Sequence, residues 1–431
     1  MIDTTPISVC HGCDATVDMA RDFPFACPNA GGENDDIDHV LVPTYDSGEF
    51  ITGTEANPFL RYRALLSPYR LGRSVGLPDD AWTEIVGTLE RRLIAVDGRA
   101  FRVTPMLPQP ALAKALAMNA TLWVKDETGN IAGSHKARHL MGVMLYLRIL
   151  EAGKLPAAEA LRARRLAIAS CGNAALAAAV VARASEWPLD SYIPPDANIS
   201  VVKRLKELGA TINVCNRRPG ETGDPCMRGF RQAVQDGAIP FSVQGPENGL
   251  AIEGGRTLAF EMAEAFSAAG DTPAALFVQI GGGALASALW QGLAIANKSC
   301  FLPHLPRLMM VQTVGCAPFA HCWQRLSGVE LADAVRHRFR FMWPWASTPA
   351  SAATGILDDE TYDWWEAAKG VRETGGDALV VDEDAIMRAY KLSKMHTGIS
   401  ASTTGTAGLA GLLMTAARGE SAAVVFSGGD L

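Results

Sequence analysis

From residue 122 to residue 426 the chain alternates short apolar strands with helical stretches, and few folds accept that alternation. Strands are predicted at 122–124, 166–170, 190–193, 211–215, 240–244, 274–280, 307–313, 371–376, 378–381 and 422–426. Helices are predicted at 137–150, 174–185, 198–208, 224–235, 252–265, 284–295, 319–340 and 383–396. Strand, helix, strand in this order builds right-handed crossovers and parallel sheet, the α/β class. Ligands of such sheets sit outside the carboxyl ends of the strands, so the turns that leave those ends are where chemistry is expected.

With 431 residues the chain exceeds what one compact core holds, so at least two domains are expected. A net charge of −7 without any basic run argues against nucleic acid or an anionic membrane as the main partner. The start, MIDTTPISVCHGCD, has no basic stretch and apolar core of a signal peptide, and no apolar run reaches the length of a membrane span; a cytoplasmic protein is expected. Nine cysteines, an odd and scattered set, are expected to be reduced. Cys10 and Cys13 form a CxxC, and Cys27 opens a second that fails because Ala30 stands at its other end. His39 or a neighbouring aspartate could complete a tetrahedral zinc site, but the expectation is small buried thiols in a capping segment, with no metal ligand assigned. Residues 57–102 read as helices of an N-terminal extension, and the tryptophans 343, 345, 364 and 365 as core or interface.

Four strand-to-helix turns carry chemistry. The stretch TLWVKDETGNIAGSHKAR delivers Lys136 to a junction where Ser134 can cap the new helix; a half-desolvated ammonium beside a helix N-terminus has a depressed pKa and suits attack on an aldehyde. Ser170, Cys171, Gly172, Asn173 and Ala174 form a second turn, with free N–H groups opening a helix of small residues. Gly281, Gly282, Gly283 and Ala284 form the third, where consecutive N–H groups can turn toward one phosphate. It is neither a dinucleotide fingerprint, since the G-x-G-x-x-G spacing is missing, nor a P-loop, since no Gly-Lys-Ser/Thr follows. Ser427, after the last strand, puts a hydroxyl at the same edge. One ligand satisfies all four turns: an aldehyde with a phosphate, a phenolic oxygen and a ring nitrogen, which is pyridoxal 5′-phosphate.

The same residues carry a family resemblance. Gly133-Ser-His-Lys136-Ala-Arg138 resembles the lysine motif of the fold type II pyridoxal-phosphate enzymes, the tryptophan synthase β family; Ser170-Cys-Gly-Asn173-Ala174 resembles its substrate loop, Gly281-Gly-Gly283 its phosphate loop, and Ser427-Gly-Gly429 its ring-nitrogen partner. Within the family the nearest look is threonine synthase and threonine/serine dehydratase. The resemblance implies two three-layer α/β domains with mostly parallel sheets: a large cofactor-binding domain from 104–164 and 251–431, a smaller mobile substrate domain from 165–250, and the extension 1–103. It implies Lys136 as the Schiff-base lysine and general base, Asn173 on the phenolic oxygen, the triglycine N–H groups and Ala284 on the phosphate, and Ser427 on the ring nitrogen. Ser170 to Ala174 would grip a substrate carboxylate, with His135 beside them. The expected reaction is elimination or replacement at the β or β,γ carbons of an amino acid carrying hydroxyl, phosphate or a similar leaving group, a threonine-synthase-like lyase. A threonine/serine ammonia-lyase, a cysteine- or cysteate-synthase-like β-replacement enzyme and a non-catalytic relative are the alternatives. A homodimer is implied as well. His135 in place of the usual Phe, Ala137 in place of an acidic residue, and Cys171 in the substrate loop depart from the family pattern. A phosphorylated substrate would need cations near the lysine, for which Arg138, His135, His139 and Lys203 are candidates.

Overall fold

The structure, a computed structural model, describes residues 5–32, 35–44, 49–218, 223–415 and 419–430. Two parallel sheets carry the molecule. The larger has six strands in the order Asp377–Val381, Arg307–Thr313, Ala275–Gln279, Ala422–Phe426, Leu122–Asp126 and Met106–Pro108, of which only the last runs antiparallel to its neighbour. The smaller has four parallel strands in the order Thr211–Val214, Leu189–Ile193, Leu166–Ala169 and Ile239–Pro240. A third sheet is antiparallel and lies in the N-terminal head: Thr16–Asp18, Ile7–Cys10 and Leu41–Thr44. This is the α/β architecture that the alternation of strands and helices predicts.

The central element is the helix Lys136–Ala152. Apart from its ends it is buried nearly all round, from Ala137 to Leu147, as an apolar helix inside a core must be. It packs against the helix Gly249–Ala269 at the closest possible range: a Cβ on Gly142 would lie 2.7 Å from the Gly254 Cα, so only glycines admit this crossing. Its other neighbour, Asn173–Ala184, is lined by alanines for the same reason.

Three predicted elements differ. Residues 371–374 end the helix Trp364–Thr374, because Trp364, Ala367, Ala368 and Val371 recur at helical spacing and bury together; the strand begins only at Asp377, after Gly375 reverses the chain at φ 65°. The helix predicted over 319–340 is broken into Pro318–Arg325 and Leu331–Ala334 and a 3-10 turn Arg338–Arg340, with Gly328 at φ 72° between the first two. The strand predicted at 240–244 pairs only over Ile239–Pro240, since the chain then turns so that Asn248 can cap the helix Gly249–Ala269. Trp364 is core and Trp365 half-buried, whereas Trp343 and Trp345 line a surface hollow with Pro318, His321 and Phe341. Among the described residues no helix is long and apolar enough to cross a membrane.

Candidate active site

Ala275–Gln279, Ala422–Phe426 and Leu122–Asp126 are adjacent and parallel, so the turns that follow them emerge side by side at one sheet edge. Those turns are the triglycine loop, Ser427 and the lysine loop. Backbone contacts lock the last two: Ser134 and Gly428 form an isolated bridge, and the His135 N–H donates to Ser427 O at 3.0 Å. The sheet therefore assembles what lies hundreds of residues apart in the chain.

Lys136 is the first residue of its helix and partly exposed, and among the described residues its Nζ forms no hydrogen bond or ion pair. Burial lowers the pKa of its ammonium, and the carboxylates of Asp358 and Asp363 act in the opposite sense. Ser134 is not the helix cap; His135 holds that position, without a side-chain capping bond. Instead Ser134 Oγ, His135 Nε2, His139 Nε2 and Asn173 Oδ1 are all buried polar atoms with no partner among the described residues. Buried polar atoms are rarely left so, and such a cluster around a lysine marks a place where a polar ligand completes the bonding. His135 is neutral: burial, with Lys136 adding to it, brings its pKa down to about 3, and its Nδ1 lies 3.0 Å from Ser427 O.

The triglycine loop is built for an anion. Gly282 N–H donates to the Asp358 carboxylate at 2.8 Å, so an oxyanion is already held by this backbone. A Cβ on Gly281 would fall 2.4 Å from Asp358 Oδ2, and Gly283 adopts φ 100° with a Cβ position 2.9 Å from Asp363 Cβ. Ala284 then opens the helix Ala284–Lys298, whose first N–H groups face the same side. A phosphate monoester fits this cup chemically in the place that the Asp358 carboxylate takes.

On the smaller sheet the turn after Leu166–Ala169 leads through Ser170, Cys171 and Gly172 into the helix that starts at Asn173. Ser170 N–H is committed to Tyr192 O at 3.2 Å and Gly172 N–H to Ser170 Oγ at 3.4 Å, so the donors left for a carboxylate are those of Cys171, Asn173 and Ala174, fewer than the sequence offered. Asn173 Nδ2 comes within 3.3 Å of where a Cβ on Gly428 would sit, which joins this loop to Ser427 and the lysine loop. Ser427 is buried, and its Oγ accepts from Gln279 Nε2 at 2.6 Å, leaving its own proton to donate.

The candidate cations are either paired or held uncharged. Arg138 is fully buried and ties Glu127 (2.8 and 2.9 Å) to Glu261 (2.6 and 3.1 Å), beside the ion pair of Lys125 with Glu261. His139 has its pKa pushed well down by burial, with His135 and Lys136 contributing, and Lys203 is an exposed side chain 4.0 Å from Glu207. Acidic groups approach instead: burial raises the Cys171 thiol pKa, and Asp196, Asp224 and Asp358 add to it. Gln279, Asp358, Asp363 and the Lys125–Glu127–Arg138–Glu261 group were missed in the sequence. The acidic run Asp358 to Asp363 and a lysine inside an apolar strand were the only signals they gave.

Comparison with known proteins agrees with this geometry. The family model "Pyridoxal-phosphate dependent enzyme" matches residues 99–428. A threonine synthase of Synechocystis sp. is 26% identical over 355 residues, covering 82% of this chain and 78% of its own. A serine dehydratase-like protein of Mus musculus is 29% identical over 233 residues, 54% of this chain and 63% of its own. The structure of maize serine racemase superposes with a TM-score of 0.59 at 19% identity, covering 80% of this chain and 93% of that one. With the family model spanning most of the chain, the chain belongs to the pyridoxal-phosphate dependent enzymes.

Proposed function

We propose that this enzyme eliminates or replaces a substituent on the β carbon, or the β and γ carbons, of a small amino acid, as a threonine-synthase-like lyase. The observation that carries the reading is Lys136: an amine whose basicity burial lowers, without a partner among the described residues, on a loop that the His135 N–H ties to Ser427. Pyridoxal phosphate, when bound, supplies the electron sink for an α-carbanion. Lys136, Asn173, Gly281 to Ala284 and Ser427 would hold it. Burial lowers the basicity of Lys136, the direction that suits Nζ to take and return a proton. Cys171, Asn173 and Ala174 orient the substrate carboxylate through N–H groups at a helix N-terminus, where an anion is favoured. Ser427 offers a hydroxyl where a carboxylate would keep a ring nitrogen protonated, which suits loss of a β substituent over transamination.

The relatives named threonine synthase and serine dehydratase-like support this reaction class. The carboxylates of Asp196, Asp224 and Asp358 around Cys171, and the commitment of Arg138 to structural pairs, favour a hydroxyl or amine leaving group over phosphate. Closure of the four-stranded unit as a smaller substrate domain, a homodimer and a cytoplasmic location belong to the same reading. The test is turnover on serine, threonine, diaminopropionate, phosphoserine and phosphohomoserine, followed by release of ammonia or phosphate. Ammonia from one of the first three is expected, with a loss of at least about 10²-fold in Lys136→Ala. A Lys136→Ala enzyme with the parent rate would refute the reading.

A further inference from the structure

The N-terminal head holds a cluster that the reaction does not use. Cys10 ends a strand of the head sheet, Cys13 follows one turn later, Cys27 lies beyond the next loop, and His39 precedes the third strand. The three sulfurs and one imidazole nitrogen lie within 4.8 Å of one another. Cys13 Sγ and Cys27 Sγ are 3.6 Å apart, and Cys10 Sγ and His39 Nδ1 are 3.4 Å apart. A tetrahedral zinc with bonds of about 2.3 Å to sulfur and 2.0–2.1 Å to nitrogen sets edges of about 3.8 Å between sulfurs and about 3.5 Å between sulfur and nitrogen. The Cys13–Cys27 and Cys10–His39 edges match these lengths, and all four atoms lie within 4.8 Å of one another.

The surroundings are those of a ligand set. His39 Nε2 lies 3.3 Å from Asp35 Oδ1, the carboxylate–histidine pairing that fixes a metal-binding imidazole with its other nitrogen free for the metal. Asp35 is itself anchored by the Gly31 N–H at 2.9 Å and the Ile37 N–H at 3.1 Å. N–H groups of Gly12 and Cys13 face the Cys10 sulfur, that of Ala15 faces Cys13, and that of Asn29 faces Cys27; Asn29 Nδ2 also reaches Cys13 Sγ at 3.5 Å. Gly12 between the first two cysteines is obligatory, because a Cβ there would sit 2.2 Å from Asp38 O. Ala30, where a fourth cysteine would continue the spacing, is exposed, and His39 comes in from the segment just before the third strand instead. Plain buried thiols, the expectation from sequence, explain neither the imidazole nor its carboxylate.

We propose that Cys10, Cys13, Cys27 and His39 form a closed, structural zinc site. Three sulfurs and an imidazole select zinc over magnesium or calcium, and four protein ligands leave no open position for catalysis. What the metal holds can be named. Asp38, next to His39, accepts from Trp364 Nε1 at 3.0 Å, and His11, next to Cys10, reaches Asp38 at 3.0 Å and lies against Trp365 in a tilted contact with ring centroids 4.5 Å apart. Trp364 follows Asp363, which packs against Gly283 of the triglycine loop. The site thus ties the head to the element that backs the cofactor cup.

Metal analysis of the holoenzyme purified under reducing conditions tests this. About one zinc per chain is expected, lost in Cys27→Ser and in His39→Ala and kept in Cys300→Ser, whose thiol is exposed elsewhere. Because the first two variants may be insoluble, the parent protein is also stripped with a mercurial and reloaded with cobalt(II) alone, which should give the intense red-region absorption of a tetrahedral thiolate site. Zinc absent from the parent, no such cobalt spectrum, or a Cys13–Cys27 disulfide in the mass of the freshly purified protein would each overturn the proposal.

Discussion

Arg138→Met removes the centre of a buried charge group while nearly keeping its volume. The Arg138, Glu127, Lys125 and Glu261 side chains are all fully buried, two cations against two anions. Without the guanidinium, Glu261 keeps Lys125, but Glu127 is left with Thr104 Oγ1 and Asn130 Nδ2 as its neutral partners. Breaking a buried pair on one side costs about 3–5 kcal/mol, out of a total stability of about 5–15 kcal/mol. The urea midpoint should therefore fall steeply with the slope unchanged. Acidity should narrow the gap. In the parent, burial pushes the Glu127 pKa up but Arg138 overrides it and holds it at about 2, so this carboxylate stabilises the fold above its ordinary pKa and the contribution is lost as pH falls toward 2. In the variant burial is opposed only by the Lys125 charge and the Thr104 and Asn130 hydrogen bonds; the carboxyl pKa rises, and the native state gains as pH falls from neutrality toward 4. Adding Glu127→Gln should return about 1–2 kcal/mol, since the penalty is that of an uncompensated charge. A single variant that loses less than about 1 kcal/mol, or a double variant no better than the single, would refute the argument.

Gly283→Ala must hold a methyl at φ 100° against Asp363, so bound cofactor, read by its visible absorbance, should be largely lost, whereas Gly129→Ala, with open space around it, should match the parent. Asp358→Ala frees the Gly282 N–H from its carboxylate and should tighten binding of pyridoxal phosphate several-fold in a fluorescence titration; weaker binding would show that Asp358 shapes the cup rather than competes for it. Burial, with Asp38 and Glu366 adding and the Gly245 N–H and His11 opposing, raises the Asp363 carboxyl to about 8. A carboxyl raised in the native state stabilises it below the unfolded pKa and costs about 1.4 kcal/mol for each pH unit between about 4 and 8. Asp363→Asn should flatten the melting temperature against pH over that window, and an unchanged slope would count against a protonated Asp363.

Much of this protein is local in the sequence. Period and turn chemistry determined the strands 307–313 and 422–426 and the helix after Lys136, because an apolar strand that ends near a glycine, or a helix-length apolar run that follows a glycine turn, needs no distant partner to be recognised. The same turns gave Lys136, Asn173, the three glycines and Ser427, since each motif is a run of a few residues whose chemistry is carried by its own backbone. What the sequence could not supply is the company these groups keep. That Gln279 bonds Ser427, that Asp358 lies in the glycine cup, that Arg138 serves Glu127 and Glu261 rather than a substrate, and that His39 joins three cysteines are contacts between residues 11 to 148 positions apart. Val371 shows the same limit on a smaller scale: its β-branched side chain favours a strand, and packing beside Trp364 made it helical. Long-range pairing is decided by which surfaces the whole fold brings together, and a lone charge or thiol in the sequence bears no mark of the partner it will meet.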